Sequence, residues 1–345
     1  MEKNNYSMLA LFDEFLKANG RNKRRMGGGR ELTPQTKKNY QFLYKLLSDF
    51  HVFSGFPLRI KVLGNNKRLF NQEKNYHKKF YLKFTSYLFY ELDLYDNYVG
   101  HNIKMLRTFY RWLVANKGLQ IGEFYREFHV WKEDIPILAL SAKQLQFLIF
   151  DSAFEERMTK YQQKVKDIFV FGCTTALRVS DIRSLSRDNL EDSPQGTYFK
   201  VYSKKTHTYS KIKLPEYAVN ILLRNRNRTK KLFNLMHNVN FNHNIKKIAE
   251  MAGWTYECPK YRTKMGKPFV VYKNKEKKEH FRYCDLLSSH TMRRTAITTM
   301  LDLGMEEKTV RRISGHAPGS VEFYKYVKHN QNLIEKQTIL WRQRK

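Results

Sequence analysis

The chain has 345 residues, of which 41% are hydrophobic and 14% aromatic, a composition that excludes a disordered polyelectrolyte. Its 64 Lys and Arg against 32 Asp and Glu give a net charge of +32, which predicts a polyanionic partner, with nucleic acid as the leading candidate. Three cysteines without a CxxC pair support neither a disulfide framework nor a structural zinc site. The sequence shows no secretory signal and no apolar run of about 18 residues, so we expect a cytoplasmic protein without a membrane partner.

The first 130 residues are predicted to form a small, basic, all-helical domain. Apolar residues recur there at the spacing of one helix face. The segments with this pattern are 8–17, 33–50, 75–92 and 97–118. Thr33 or Thr36 suits the N-cap of the second helix, and Gly118 suits the end of the last one.

Aromatic residues are interspersed with lysines in the third of these helices. They are Tyr76, Phe80, Tyr81, Phe84, Tyr87 and Tyr90. Aromatic rings beside basic residues fit base stacking, but at this spacing they fit the core face of a helix better. We therefore favour a structural role for them.

A linker is predicted over residues 131–139, because Pro136 disfavours helix in the residue before it. The segment LSAKQL then reads as a capped helix start and opens a second domain, 140–345. This domain is predicted to be mixed. A buried helix breaks near Thr174 and Thr175 and is followed by a second helix.

Further along the second domain, strand and helix signals alternate. Residues 196–215 alternate like two strands around a polar turn, and FVVYKN and KEHFRYC are possible strands. Helices are predicted over 241–253, in SSHTMRRTAITTMLDLG, in EEKTVRRISG and in an amphipathic C-terminal tail from about residue 330. The fold class is therefore mostly α with a small β-sheet or hairpin.

Basic side chains in two separate motifs are candidates for a phosphate site. His290 and Arg293 lie three residues apart in SHTMRRT, so a helix would present both on one face. Alone, this pair is more often a solvated helix face. Arg178 in TALRVSDIRSL sits where the chain turns after an apolar helix, either directed into a cleft or paired with Asp181 or Asp188.

Three further candidates extend this set. Lys205 lies near the tip of the predicted hairpin, where it either reaches a phosphate or is simply solvated. His316 directly follows Gly315, and Tyr324 and Tyr326 lie eight and ten residues beyond it. A tyrosine hydroxyl, with an ordinary pKa of about 10, is a poor nucleophile unless its oxyanion is stabilised, for example by guanidinium groups. Most tyrosines in such a setting are merely packed.

These signatures, in this order, resemble the tyrosine site-specific recombinases, the phage-integrase family that also includes the Xer and Cre recombinases. The family's pattern of Arg, hairpin Lys, His-x-x-Arg, His or Trp, and Tyr matches positions of this sequence in order. They are Arg178, Lys205, His290, Arg293, His316 and a tyrosine in FYKYVK. SSHTMRRTAITTML and ISGHAPGS look most like integrases of Bacteroides-type mobile elements. The motifs cover residues 140 to 330.

The sequence departs from the family pattern at the nucleophile. Members commonly place the tyrosine nine residues after the second histidine, where this chain has Lys325. An alignment to the YxH ending of Xer-type enzymes selects Tyr324. An alignment to the F-x-x-Y-[IV]-K ending of related integrases selects Tyr326, which we favour because that pattern matches throughout.

The resemblance implies a helical, SAM-like core-binding domain and an α+β catalytic domain that form a C-shaped DNA clamp. It also implies that Tyr326 attacks the scissile phosphate to give a 3′-phosphotyrosyl link. Arg178 and Arg293 would clamp the non-bridging oxygens, and His316 would hydrogen-bond the phosphate. Lys205 would protonate the departing 5′ oxygen, and His290 would assist proton transfer.

The implied chemistry needs no cofactor, no metal ion and no ATP. The implied partner is double-stranded DNA with a specific core site, bound by a homotetramer in the bacterial nucleoid with a possible accessory DNA-bending factor. Two other functions use similar features. A type IB topoisomerase shares the chemistry but relaxes DNA as a monomer, and a non-catalytic DNA-binding regulator retains only the fold.

Overall fold

The structure is a computed structural model that describes residues 5–21, 32–64, 66–203, 208–225, 230–234 and 236–329. Contacts divide the chain into two units. The first comprises Met1–Ile135 and Tyr261–Val270, and the second comprises Pro136–Lys260 and Val271–Lys345. The first break falls inside the segment predicted as a linker, while the functional assignment of the two units stays a prediction. Every helix among the described residues is too short or too polar to cross a membrane.

The first unit is built mainly from four helices. They are α1 (Met8–Arg21), α2 (Pro34–Ser54), α3 (Lys67–Ser86) and α4 (Asp96–Lys117). A π-helical turn at Tyr87–Glu91 extends α3. The predicted ends are confirmed at two positions. The Thr33 hydroxyl accepts the backbone N–H of Thr36 at 3.2 Å, and Gly118 ends α4 in the left-handed conformation.

The aromatic residues of α3 belong to the core of this unit, as the sequence predicted. Phe80 and Phe84 are fully buried, and Tyr76 and Tyr87 are buried as well. Their rings pack edge-on or stacked against Phe50 and other aromatic residues of the same cluster. Only Tyr90 of the predicted set is largely exposed. Base stacking is therefore not the role of the four buried rings.

The prediction of an all-helical first domain was wrong in one detail. Strand β1 (Asn5–Ser7) pairs antiparallel with β2 (Arg59–Lys61), so a small sheet closes one side of the helices. Each strand has three residues, which is too short to show the alternation by which a strand is recognised in a sequence.

The second unit contains a three-stranded antiparallel sheet and ten α-helices among the described residues. The strands, in sheet order, are β3 (Leu190–Ser193), β4 (Gly196–Ser203) and β5 (Thr208–Lys213). The helices are α5 (Ala142–Phe150), α6 (Ser152–Glu156), α7 (Lys160–Thr175), α8 (Val179–Arg183), α9 (Glu216–Arg224), α10 (Asn238–Met251), α11 (Tyr283–Leu286), α12 (Ser289–Asp302), α13 (Glu307–Ile313) and α14 (321–329).

Helices α7 and α12 pack against each other at a glycine. A Cβ at Gly172 would lie 2.5 Å from the sulfur of Met292, so any larger residue there would force the helices apart. This close approach holds Arg293, the residue after Met292, beside the C-terminal end of α7. The predicted mostly α fold with a small sheet is confirmed, and the three cysteines are free.

Two strand predictions had different outcomes. The hairpin of β4 and β5 is confirmed, with Ser203 paired to Thr208. The strand predicted at KEHFRYC was wrong. That segment makes single bridges only and enters α11 at Tyr283. The side chain of Asn274 caps a local turn by accepting two backbone N–H groups, from Glu276 and Lys277, which interrupts any ladder.

A hairpin from the second half of the sequence belongs to the first unit. It consists of β6 (Lys260–Lys264) and β7 (Lys267–Val271), joined by a two-residue turn at Met265 and Gly266 with φ of 53° and 75°. Both turn N–H groups donate to the buried carboxylate of Asp96, at 2.7 and 2.9 Å. Such positive φ values are those of a type I′ turn.

A second buried carboxylate of the first unit also bonds to this hairpin. Glu133 accepts hydrogen bonds from the Arg262 guanidinium and, at 3.0 Å, from the backbone N–H of Thr263. Burial alone would raise the pKa of Glu133, but these bonds outweigh it and lower the pKa. The Arg262 guanidinium lies 4.2 Å from the ring centre of Tyr95.

We expect Arg262→Met to destabilise the protein by about 3 kcal/mol, because it leaves the buried Glu133 carboxylate without its charged partner. Lys264→Met is the matched control. It removes a cation from the same strand, but its partner Asp93 is exposed, so we expect a loss of about 1 kcal/mol or less. Urea unfolding of the two variants and the parent measures both values. Equal losses would contradict this interpretation of the Glu133 contact.

His77 lies in the aromatic core of the first unit, stacked on Phe124 at 5.3 Å and 5.5 Å from the ring of Tyr110. Burial, helped by the charge of Arg59, lowers its pKa to about 4 from the usual 6.5. The unfolded chain therefore binds the proton more tightly than the folded protein. The stability contributed by the neutral ring is complete above the unfolded pKa and is lost as pH falls towards the folded pKa.

At about 1.36 kcal/mol per pKa unit, acidification from about pH 7 to pH 5 should cost about 2 kcal/mol through His77 alone. His77→Gln removes this contribution, so the stability difference between parent and variant should shrink by that amount over the same interval. His243→Gln, at an exposed position of α10, is the control for the effect of a His-to-Gln change as such. A pH-independent difference between the parent and His77→Gln would contradict the assignment.

Candidate active site

The site begins at the break between α7 and α8. The sequence placed this break at Thr174 and Thr175, but α7 continues through Thr175 and ends at Ala176, whose φ is 56°. This left-handed residue reverses the chain direction, and Arg178 then serves as the N-cap residue of α8. The Arg178 side chain lies 3.8 Å from the carboxylate of Asp181, so the ion pair considered from the sequence is present.

Arg293 is the buried centre of the site, with only 7% of its surface exposed. Its Nη1 donates to the backbone carbonyl of Ala176 at 2.9 Å. Its Nη2 lies 3.2 Å from Nε2 of His316 and 3.3 Å from Nδ1 of the same ring. The left-handed turn at Ala176 thus provides an acceptor that fixes the guanidinium of α12.

Two arginines share this small volume, and their charges repel. Burial, and then the charge of Arg178, lowers the pKa of Arg293 to about 10, although Tyr326 and Asp181 act in the opposite direction. At neutral pH the guanidinium is still protonated. A buried guanidinium beside a half-buried one forms a ready binding site for an anion with several oxygens, such as a phosphodiester.

His316 follows α13 through Gly315, which has a φ of 63°. Burial, together with the charges of Arg293 and Arg178, lowers the pKa of His316 to about 3. The imidazole is therefore neutral at physiological pH in the empty site. One face of the ring packs against Phe323 at 5.5 Å. A neutral imidazole in this place offers hydrogen bonds to a phosphate, while the arginines supply the charge.

The two candidate tyrosines occupy different positions on α14. The ring of Tyr326 lies 6.2 Å from the ring of His316, and the residue is half-buried against a small core of Ala176, Ile297 and Phe323. Tyr324 is 49% exposed, and the ring contact described for it is with Phe323. Two residues apart on a helix, the side chains point about 200° apart, so both cannot face His316.

The other two predicted residues are His290 and Lys205. His290 lies one turn before Arg293 on α12, and its side chain is exposed. Lys205 lies outside the described residues, between the described ends of β4 and β5. Within the part of the chain that the structure describes, no three His, Cys, Asp or Glu side chains group as metal ligands. Four predicted residues therefore come together, Arg178, Arg293, His316 and Tyr326.

Sequence reasoning missed two groups that hold the site. The carbonyl of Ala176 carries no side-chain signal, and only the predicted helix break two residues before Arg178 pointed to an unusual backbone there. Ser314, two residues before His316, is buried and lies 2.8 Å from the His316 ring. Beside them, a groove of about 480 Å³ is lined by His316 and basic residues of α13, including Lys308, Arg311 and Arg312.

The sequence model of the phage integrase family matches residues 146–332, which is more than half of the chain. The chain belongs to the phage integrase family. This match includes all four residues of the site and the second unit's helices from α6 onward, and it begins within α5. The predicted membership among tyrosine recombinases is thereby confirmed. The finer resemblance to Bacteroides-type elements stays a prediction.

Solved structures of integrases share the fold of this phage-integrase-family chain. The Tn1549 transposon integrase in complex with a circular intermediate DNA matches with a TM-score of 0.58 and 13% identity, over 96% of this chain and 99% of that chain. A lambda integrase dimer bound to a COC′ core site matches with a TM-score of 0.60 and 11% identity, over 94% and 77%. No curated protein sequence matches significantly.

Proposed function

We propose that this chain is a site-specific recombinase that uses Tyr326 to cleave and rejoin DNA. The observation that carries the proposal is the convergence of Arg178, Arg293, His316 and Tyr326 within one unit, from four separate elements. Two guanidinium groups, a neutral imidazole and a hydroxyl suit the displacement of an alkoxide from a phosphodiester.

The reaction exchanges one phosphoester bond for another, so it is reversible. The Tyr326 oxygen attacks phosphorus, its proton leaves, and the bond from phosphorus to the 5′ oxygen breaks. Arg178 and Arg293 bind the two non-bridging oxygens and stabilise their growing charge. Lys205 protonates the departing 5′ oxygen, and His290 takes part in proton transfer at the tyrosine. A 5′ hydroxyl from another strand reverses the step and joins new ends.

The substrate is double-stranded DNA with a specific core site, bound in the nucleoid of a bacterial cytoplasm. The net charge of +32 and the basic groove beside His316 support a partner rich in phosphate. The lambda integrase structure contains a dimer on core-site DNA, and the Tn1549 structure contains a circular intermediate. We propose a homotetramer on paired sites, with an accessory DNA-bending factor for some outcomes.

A nicked suicide substrate tests the enzymatic proposal. It carries DNA from either side of the gene, with a nick next to each cleavage position tested so that the released fragment diffuses away. We expect a covalent protein–DNA complex that survives denaturation and forms in EDTA. If no such complex forms on any flanking DNA, the chain is a DNA-binding regulator. Relaxation of plasmids without the site would instead indicate a type IB topoisomerase.

A further inference from the structure

Ser314 ends α13 two residues before His316, and only 3% of its surface is exposed. Its hydroxyl oxygen lies 3.2 Å from the backbone carbonyl of Arg311 and 2.8 Å from Nδ1 of His316. The first contact is the local bond that a serine commonly makes at a helix end. The second contact joins Ser314 to a ring that touches the buried guanidinium of the site.

The chemical groups around Ser314 and His316 determine which atom is the donor in each of these hydrogen bonds. A neutral imidazole carries one N–H, and a guanidinium only donates. Nη2 of Arg293 lies 3.2 Å from Nε2 of His316 and 3.3 Å from Nδ1, so the guanidinium does not distinguish the two ring nitrogens. The Ser314 hydroxyl does distinguish them, because it donates its single proton to the Arg311 carbonyl and has only lone pairs left for Nδ1. The ring proton therefore belongs on Nδ1 and the lone pair on Nε2. Nδ1 then donates to the Ser314 hydroxyl, which donates in turn to the Arg311 carbonyl. Each donor in this sequence of contacts has an acceptor.

We propose that Ser314 is a positioning residue, which holds the His316 ring by Nδ1 and so leaves Nε2 available to the phosphate that binds beside Arg293. The binding of phosphate by Nε2 rests on the proposed function. The orientation of the His316 ring by Ser314 does not, because it is a property of the DNA-free protein.

A hydroxyl suits this role because it both accepts and donates. When a phosphate oxygen occupies the site, Nε2 serves it by carrying a proton, and in a neutral ring Nδ1 then holds the lone pair. Ser314 turns its proton from the Arg311 carbonyl to Nδ1. That carbonyl keeps a partner, since it already accepts the backbone N–H of His316 at 3.0 Å. A carbonyl group in place of the hydroxyl could only accept a hydrogen bond from Nδ1–H, and an alanine could bond to neither the Nδ1–H nor the Nε2–H form of the ring.

A second serine of the same unit makes it possible to distinguish this role from simple helix capping. Ser184 ends α8, and its hydroxyl donates to the carbonyl of Asp181, three residues earlier, at 2.8 Å. Ser314 makes the same local bond to Arg311, but within the described residues Ser184 makes no hydrogen bond to a histidine ring. Ser184→Ala is therefore the matched control for Ser314→Ala.

Nitrogen NMR of the DNA-free, full-length protein labelled in histidine tests the position of the proton. The His316 signals are assigned by their loss in His316→Trp. We expect the Nδ1–H form in the parent, a mixture of the two forms in Ser314→Ala, and recovery of the Nδ1–H form in Ser314→Thr. Ser184→Ala should match the parent. A parent with Nε2–H, or no change in Ser314→Ala, overturns the proposal.

Cleavage of the nicked substrate at saturating DNA tests the consequence for the reaction. We expect Ser314→Ala to slow adduct formation about tenfold, the effect of one lost hydrogen bond of about 1.4 kcal/mol, with DNA affinity unchanged. Ser184→Ala should be as fast as the parent. In a His316→Trp background, Ser314→Ala should add nothing, because the indole N–H needs no partner at Nδ1.

The outcomes separate the two proposals. A tenfold loss that persists in the His316→Trp background, or that Ser184→Ala shares, means that Ser314 acts through the backbone, and the inference is then wrong. If the parent itself forms no covalent complex, the proposed function fails. The nitrogen spectra alone then decide the role of Ser314.

Discussion

Tyr326→Phe should bind the recombination site with the affinity of the parent and form no covalent complex with it. The phenyl ring keeps the packing against Phe323 and Ile297, while the nucleophilic oxygen is gone. Cleavage of the nicked substrate should therefore fall below detection, a loss of more than about a thousandfold. Denaturing gels measure the adduct, and mobility shifts measure the affinity.

Tyr324→Phe is the matched control, because it removes the same oxygen from a neighbouring position of the same helix. Tyr324 is exposed, whereas Tyr326 is the tyrosine whose ring contacts His316. We expect adduct formation within about twofold of the parent, since an exposed hydroxyl contributes little to the fold. Activity in Tyr326→Phe together with its loss in Tyr324→Phe would assign the nucleophile to Tyr324.

Arg293→Met should reduce adduct formation by at least about two to three orders of magnitude, because a preorganised donor to the phosphate oxygens disappears. The same change should leave the unfolding temperature equal or higher. Removing the guanidinium ends the repulsion with Arg178 and the cost of burying a charge, which together hold the pKa of Arg293 near 10. The Ala176 carbonyl loses its donor, which limits the gain.

Arg294→Met provides the comparison for Arg293→Met. It removes one positive charge from the adjacent position of α12, which points to another side of the helix. At saturating DNA we expect adduct formation within about threefold of the parent. Single-turnover cleavage and thermal unfolding are measured for both variants. A marked loss of stability in Arg293→Met without a loss of cleavage would contradict the assigned role.

Local signals in the sequence were sufficient for much of the fold. Thr33 and Ser141 precede helices that begin where their side chains cap them, and Gly118 ends a helix in the left-handed conformation. These features depend on a few neighbouring residues, so the order of residue types determines them. The three-residue spacing of His290 and Arg293 likewise placed both on α12.

The features that were missed depend on residues far apart in the sequence. The Arg293 guanidinium bonds to a carbonyl 117 positions earlier, and nothing in the residue type of Ala176 marks that carbonyl. The sequence pattern favoured Tyr326 over Tyr324, but the 6.2 Å separation of the Tyr326 and His316 rings depends on the direction of α14. The identity of the nucleophile stays a prediction. In KEHFRYC, the alternation of apolar and polar residues predicted a strand. The Arg282 side chain instead bonds to Asp285 in α11, and the segment continues into that helix. Residue order alone does not determine which of these tertiary contacts forms.

The hairpin of β6 and β7 limits where this chain can be joined to a relative in a chimeric protein. Asp96 and Glu133 receive their hydrogen bonds from residues 169 and 129 positions later in the chain. A chimera that joins residues 1–135 of this chain to the remainder of a distant relative therefore buries two carboxylates without their donors. The first unit keeps these hydrogen bonds in another protein only if residues 261–270 are transferred together with residues 1–135. The exchangeable module therefore consists of two separate stretches of sequence.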